Sequence, residues 1–280
     1  MNISGHAKLA GVMGWPISHS LSPRLHSYWL HQYDINGAYV PLPVAPDNLE
    51  HALRALSSLG FRGVNLTVPH KESALLIMDT VSDIARRIGA VNTVFVTDDG
   101  KLSGTNTDAS GFIENLRLNA PKWQAKSGAA VVLGAGGAAR AVVAALIDAE
   151  VPEIRVLNRT MEKAEQLAET LKGPIKIVDW ANRDTALEDA ALLVNTTILG
   201  MINQPQLEVS LDALPKTAVV NDLVYAPLET DLLANARHLG LHTVDGLGML
   251  LHQAVPGFEG WFGVRPKVTT ELRDVVLASV

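Results

Sequence analysis

Cysteine is absent from the 280-residue chain, which excludes disulfides, thiolate nucleophiles and cysteine-ligated metal and is compatible with a reducing cytoplasm. Positive charge is not in surplus either. The 23 basic against 29 acidic residues leave a formal charge of −6, which argues against nucleic acid as a general partner. Nothing near the N-terminus reads as a signal peptide. The stretch Gly128 to Ile147 is long and apolar enough to raise the question of a membrane span. Four glycines and Arg140 within it argue against one, so no membrane partner is expected. His19, His26 and His31 lack metal-ligand spacing; surface or packing roles are expected for them, and no metal site is expected. The length is enough for two domains with cores of their own.

What is present centres on Gly128 to Thr160, GAAVVLGAGGAARAVVAALIDAEVPEIRVLNRT. Ala129 to Leu133 is too short for a globular helix and suits a buried strand. The loop Gly134, Ala135, Gly136, Gly137 and Ala138 follows, with Gly134, Gly136 and Ala139 in a G-x-G-x-x-A pattern. A small-residue helix from Ala138 to Ala149 and a strand from Glu153 to Leu157 complete a βαβ unit. Glycine there permits the tight turn and lets backbone N–H groups approach a pyrophosphate at the helix N-terminus. Alone, the pattern is also that of an ordinary strand–helix turn; in this context it predicts dinucleotide binding. An NAD site usually carries an acidic residue at the end of the second strand. This chain has Asn158, Arg159 and Thr160 instead, with Lys163 one helical turn beyond Arg159. Two cations there suit a 2′-phosphate, so NADP is expected over NAD. The competing explanation is a solvated basic face beside a Thr160 N-cap.

Upstream, Lys8 to Met13 reads as a strand leading into Ile17-Ser18-His19-Ser20-Leu21-Ser22-Pro23. Ser22 suits an N-cap and Pro23 a first helical position for a helix through Tyr33. A hydroxyl-rich loop at a helix N-terminus also suits a carboxylate, and both readings stand. Ala38 to Val44 gives a strand, and Asp47-x-x-Glu50 a capping box for a helix through Ser58. The strand Phe61 to Thr67 delivers Asn65-Leu66-Thr67-Val68-Pro69-His70-Lys71, followed by a helix from about His70 to Met78. Lys71 would then lie in a first helical turn, whose dipole eases its deprotonation; an exposed lysine tolerating the position is the alternative. A strand to Val96, a turn at Asp99-Gly100 and Lys101 to Thr105 predict one antiparallel pair. Asp108 can cap a helix from Ala109 to Leu118. Four further strands, at Ile175 to Val178, Leu192 to Asn195, Ala218 to Asn221 and His242 to Val244, extend the βαβ unit to a doubly wound parallel sheet. Asp245 to Gln253 opens another helix, which Pro256 is expected to kink or end. An amphipathic helix from Val268 to Ala278 is expected to pack on the first domain.

Taken together, these motifs resemble the shikimate dehydrogenase family along nearly the whole chain. They are S-x-S-P at Ser20 to Pro23, N-x-T-V-P-x-K at Asn65 to Lys71, G-A-V-N-T at Gly89 to Thr93, and N-T-D at Asn106 to Asp108. The glycine loop, N-R-T-x-x-K-A at Asn158 to Ala164, D-x-x-Y at Asp222 to Tyr225 and D-G-x-G-M-L at Asp245 to Leu250, with Gln253 beyond it, complete the series. Ala109-Ser110 and Ile198 depart from the family pattern without touching residues assigned to chemistry.

The resemblance implies a mixed α/β substrate domain at 1–107, completed by 246–280, and an NADP-binding Rossmann domain at 108–245. It implies reversible, NADPH-linked reduction of 3-dehydroshikimate to shikimate by a cytoplasmic monomer or homodimer. Carried onto matching positions, it places Ser20 and Ser22 on the substrate carboxylate with Tyr225 nearby, and Thr67, Asn92, Asp108 and Gln253 on ring hydroxyls. Lys71 exchanges the proton and Asp108 orients it. Gly134 to Ala138 hold the pyrophosphate; Asn158, Arg159, Thr160 and Lys163 hold the adenosine end, and Leu223 and Gly246 the nicotinamide end. A quinate/shikimate dehydrogenase using NAD, a folate-linked dehydrogenase and a non-catalytic nucleotide sensor are the alternatives. The basic pair and the paired serines speak against the first, the substrate motifs against the second, and Lys71 with Asp108 against the third.

Overall fold

The computed structural model describes residues 3–278. The chain divides into two compact units, one running up to Thr107 and resuming at Gln253, the other Asp108–His252. The first unit opens with β1 (Lys8–Gly14), whose last five residues are all buried, as a strand covered on both faces requires. Then follow α1 (Ser22–Gln32), β2 (Gly37–Pro43), α2 (Leu49–Ala55), β3 (Phe61–Leu66), β4 (Thr80–Val81), α3 (Asp83–Ile88), β5 (Thr93–Val96) and β6 (Leu102–Thr105). The sheet order is β2-β1-β3-β5-β6-β4. β1 is parallel to both its neighbours, while β5 runs antiparallel to β3 and β6.

Several local expectations need correcting here. α1 starts at Ser22 itself; Leu21 flanks it without a side-chain cap, and the Ser20 hydroxyl accepts the Ser22 N–H at 3.3 Å. Asp47 and Glu50 form no capping box, because Pro46–Asn48 tightens into a 3₁₀ turn. No α-helix follows Pro69. The chain makes turns and one short 3₁₀ segment, Ser73–Leu76, while the buried His70 ring is tied at 2.8 Å to the Val44 carbonyl. That inward anchor and the i→i+3 bonds that follow replace helical propagation. β4 and α3 had no counterpart in the sequence reading. Ser82, whose hydroxyl accepts from the Ala85 N–H, and Gly89 at φ +76° delimit α3.

The second unit contains α4 (Asp108–Asn119), β7 (Ala129–Leu133), α5 (Gly137–Asp148), β8 (Ile154–Leu157), α6 (Met161–Leu171), β9 (Ile175–Val178), β10 (Ala190–Asn195), β11 (Val219–Asp222), α7 (Asp231–His238) and β12 (His242–Val244). Every strand pair is parallel, in the order β12-β11-β10-β7-β8-β9. The order reverses at β7, so the switch point lies between the carboxyl ends of β7 and β10, where open α/β sheets bind ligands. β7 is buried throughout, and α5 buries seven small or branched residues. Leu133, Leu193, Val220 and Leu233 belong to the core on one side of the sheet.

The last helices, α8 (Leu247–Phe262) and α9 (Thr270–Leu277), return the chain to the first unit. Pro256 lies inside α8 and does not end it. Trp261 donates from Nε1 to the Val94 carbonyl at 3.0 Å. Gly63 makes that approach possible, since a Cβ there would stand 2.0 Å from the same carbonyl oxygen. α9 packs on α1. Beneath them His26 stacks on Tyr39 with centroids 3.8 Å apart and planes 4° from parallel.

His26 serves as packing, as expected, at a cost in protonation. Neither ring nitrogen has a hydrogen-bond partner among the described residues, and burial lowers its pKa from 6.5 to about 3. The unfolded chain takes up this proton near pH 6.5 and the folded chain only near 3, so stability is lost as pH falls below 6.5. One such group contributes a slope of about 1.4 kcal/mol per pH unit. His26→Phe should therefore lose stability less steeply than wild type by about that slope between about pH 6 and 4, in urea titrations at each pH. His70 and His252, also lowered by burial, remain in both proteins; equal slopes would refute the assignment.

Candidate active site

In the first unit a chain of buried amides runs across the carboxyl end of β3. Tyr39 donates to Asn65 Oδ1 at 2.6 Å, and Asn65 Nδ2 donates to the Asn92 carbonyl at 3.2 Å and to Thr93 Oγ1 at 3.1 Å. A carbonyl oxygen only accepts, so the Asn65 amide has one orientation and the phenol proton is committed to it. Burial lifts the Tyr39 phenol well above its usual pKa, with Ser22 acting in the opposite sense. Asn92 is 1 % exposed. Its Oδ1 accepts from the Thr107 N–H at 2.9 Å and Thr93 Oγ1 at 3.0 Å, and its Nδ2 donates to Thr107 Oγ1 at 3.0 Å and Gln253 Oε1 at 3.4 Å.

Lys71 joins this cluster through its backbone, its carbonyl accepting the Val91 N–H at 2.8 Å. Because no helix begins there, the dipole argument for Lys71 falls. Thr67 is fixed by its N–H to the Met13 carbonyl at 3.0 Å. Ser22 is buried and Ser20 half-buried at the start of α1. Ser20, Ser22, Thr67, Lys71, Asn92 and Gln253 thus all belong to the first unit. Asp108, buried, is the first residue of α4 in the second unit and follows Thr107 directly. Tyr225, half-buried and with its pKa raised by burial, also belongs to the second unit.

The second unit carries the glycine loop at the β7 end of the switch point. Gly134 adopts φ +112°, and a Cβ there would meet Thr196 Oγ1 at 2.5 Å. A Cβ on Gly136 or Gly137 would meet nothing within 4 Å, and α5 has no side-chain cap. An uncapped helix N-terminus beneath open backbone fits a pyrophosphate. At the end of β8, Asn158 Nδ2 donates to the Thr160 carbonyl at 2.8 Å. Arg159 and Lys163 are exposed, and neither makes an ion pair among the described residues. Two exposed cations one helical turn apart, neither held in an ion pair, fit a 2′-phosphate.

At the ends of β10 and β11 stands a network centred on Asp222, a residue to which the sequence reading gave no role. Asp222 is 0 % exposed. It accepts from Asn195 Nδ2 at 2.9 Å, the Val224 N–H at 3.0 Å and Thr230 Oγ1 at 2.7 Å. Burial raises its carboxyl from 3.8 to about 6, and these three donors pull it back. Gly246 is pressed on Leu223, where a Cβ would lie 2.2 Å from the carbonyl oxygen. Asn65, Tyr39 and Thr107 are likewise participants the sequence left without a role, whereas Asn195 to Met201, at a strand's carboxyl end, reads in the sequence as either a polar turn or a cofactor-side segment. Buried amides and carboxylates at strand ends, inside motifs already singled out, were the available signal.

A Rossmann-type sheet with an open phosphate loop, joined to a second α/β unit with buried amides at its strand ends, is the build of a nicotinamide-dependent oxidoreductase. Residues 12–94 match the family model of the shikimate dehydrogenase substrate binding domain, and residues 118–247 that of shikimate / quinate 5-dehydrogenase. The chain belongs to the shikimate dehydrogenase family. It is 62% identical over 276 residues to the shikimate dehydrogenase (NADP(+)) of Paramagnetospirillum magneticum, covering 99% of this chain and 100% of the relative. Among solved structures, shikimate 5-dehydrogenase from Thermus thermophilus, in complex with NADP(H) and shikimate, superposes with TM-score 0.86 at 38% identity, covering 98% of this chain and 100% of that one. Quinate dehydrogenase from Corynebacterium glutamicum, in complex with NAD, superposes with TM-score 0.90 at 33% identity, covering 97% and 99%.

Removing the phenol that fixes Asn65 leaves a buried acceptor unpaired. Tyr39→Phe should cost about 1–3 kcal/mol of unfolding free energy, read from urea titrations at neutral pH; a change below about 0.5 kcal/mol would show that the bond contributes no net stability.

Proposed function

We propose that the protein reduces 3-dehydroshikimate to shikimate with NADPH, reversibly, as a step of the shikimate pathway. The observation that carries this is the 62% identity, end to end, with a relative named shikimate dehydrogenase (NADP(+)). The substrate occupies the first unit and the dinucleotide the second. Ser20 and Ser22 hold the carboxylate with Tyr225, and Thr67, Asn92, Asp108 and Gln253 take the ring hydroxyls. Gly134 to Ala138 receive the pyrophosphate; Asn158, Arg159, Thr160 and Lys163 the adenosine end; Leu223 and Gly246 the nicotinamide end. The absence of cysteine supports a cytoplasmic location, and no described helix is long and apolar enough to cross a membrane.

NADPH supplies the hydride when bound. The chain supplies the proton: Lys71 Nζ gives it to the carbonyl oxygen as negative charge develops there, and recovers it in the oxidative direction. Asp108 aims the Lys71 side chain at that oxygen while accepting from a ring hydroxyl. Asn92 orients substrate from a fixed rotamer, because its amide is already held on both sides by Thr93, Thr107 and Gln253.

The direct test follows nicotinamide absorbance with shikimate or quinate, each with NADP or NAD. Shikimate with NADP should give the highest kcat/KM; a higher value for quinate with NAD would favour the quinate dehydrogenase reading instead. Arg159→Ala should raise the KM for NADP about ten- to a hundredfold, with little change for NAD, since one charge-assisted contact is lost. Equal losses with both cofactors would exclude phosphate recognition. Lys71→Met should lower kcat by about 10²–10⁴ with a much smaller change in the shikimate KM. Near-normal kcat in that variant would require another proton donor.

A further inference from the structure

The Asp222 network does more than tie off strand ends. It fastens two segments that leave the sheet side by side. Asn195, whose Nδ2 binds Asp222, also donates to the Leu199 carbonyl at 3.1 Å, and its Oδ1 accepts from the Thr197 N–H and hydroxyl at 3.0 and 2.8 Å. The Asn195 carbonyl accepts the Leu223 N–H at 3.0 Å, and Asp222 accepts the next N–H, that of Val224. Gly246 closes on the Leu223 carbonyl from a third segment. Leu223 and Val224 are therefore held at both backbone N–H groups, with Gly246 packed closely against the Leu223 carbonyl. A fully buried carboxylate is a costly fastener where apolar packing would serve. What it offers instead is three donors converging on one point from 195, 224 and 230.

The strand order says which part of the cofactor this peptide serves. In the function proposed above, the adenosine end lies over β8, where Arg159 and Lys163 stand, and the pyrophosphate at the loop between β7 and α5. Across the switch point the dinucleotide's other half extends over the ends of β10 and β11. We propose that Asp222 is a positioning residue for the nicotinamide half of the dinucleotide, holding the 195–199 and 222–224 segments where that ring is received. The inference rests on the NADP-linked function proposed above.

The test compares wild type with Asp222→Asn, which can keep the Asn195 and Val224 contacts through one oxygen, and with Asp222→Ala, which loses all three. Three quantities are measured: kcat and KM with NADP and shikimate, inhibition by adenosine 2′,5′-bisphosphate, which lacks nicotinamide, and the melting temperature. For Asp222→Ala a fall in kcat/KM for NADP of about tenfold or more is expected. The loss should be smaller for Asp222→Asn, with the inhibition constant within about twofold of wild type in both. A parallel rise in that inhibition constant, or an unchanged kcat/KM in variants that melt lower, would overturn positioning and leave a structural fastener. Where the Asp222 variants do not fold, Thr230→Val removes one donor and is held to the same criteria. A wild type inactive with shikimate and NADP would instead overturn the proposed function and this inference with it. A competent wild type beside unaffected variants overturns the inference alone.

Discussion

An amide buried at the end of a strand must be paired on both of its faces, and this requirement organises both units. Asn92 in one and Asn195 in the other each accept a backbone N–H through Oδ1 and spend Nδ2 on neighbouring acceptors. Each pairing ties a strand end to the segment beyond it and to a neighbour. Leaving either amide half-satisfied costs more than the bond itself contributes, so the loops move as sets or not at all. The strands bring the ends together; the amides decide where the loops lie.

In the function proposed for the chain, the two units meet their ligands by opposite means. In the first, side chains do the recognising, and they are held by others deeper in: Tyr39 behind Asn65, Thr93 and Thr107 around Asn92. In the second, the loop offers backbone, kept bare by Gly136 and Gly137. A pyrophosphate common to many enzymes suits a backbone site, whereas a ring with several hydroxyls requires donors and acceptors at fixed positions.

The second unit was the more legible in sequence. Its parallel strands are short apolar runs, and the glycine pattern, the uncapped helix and the basic pair after β8 all depend on neighbours in the chain. Around Lys71 the sequence misled, because Pro69 followed by small and apolar residues looks helical until His70 is seen reaching inward to Val44. Ser22 had the character of a cap, but its hydroxyl lies beside Tyr39, a residue of β2. Asp222 was visible as a motif letter and mute as to role. Its partners come from residues 195, 224 and 230, two of them local and one not, and local spacing cannot show that a carboxylate is buried. Motifs marked the places, and tertiary contacts supplied the reasons.

The first unit is discontinuous in sequence, and this bears on how the chain is made. Trp261, which closes over Gly63 and the Val94 carbonyl, and α9, which covers α1, are translated only after the whole of the second unit. On the ribosome the second unit can complete its sheet first, while the earlier-made strands of the first wait with the surface destined for α8 and α9 uncovered. The protein thus finishes its folding at the end it synthesised earliest, and the emerging C-terminal helices are the clasp.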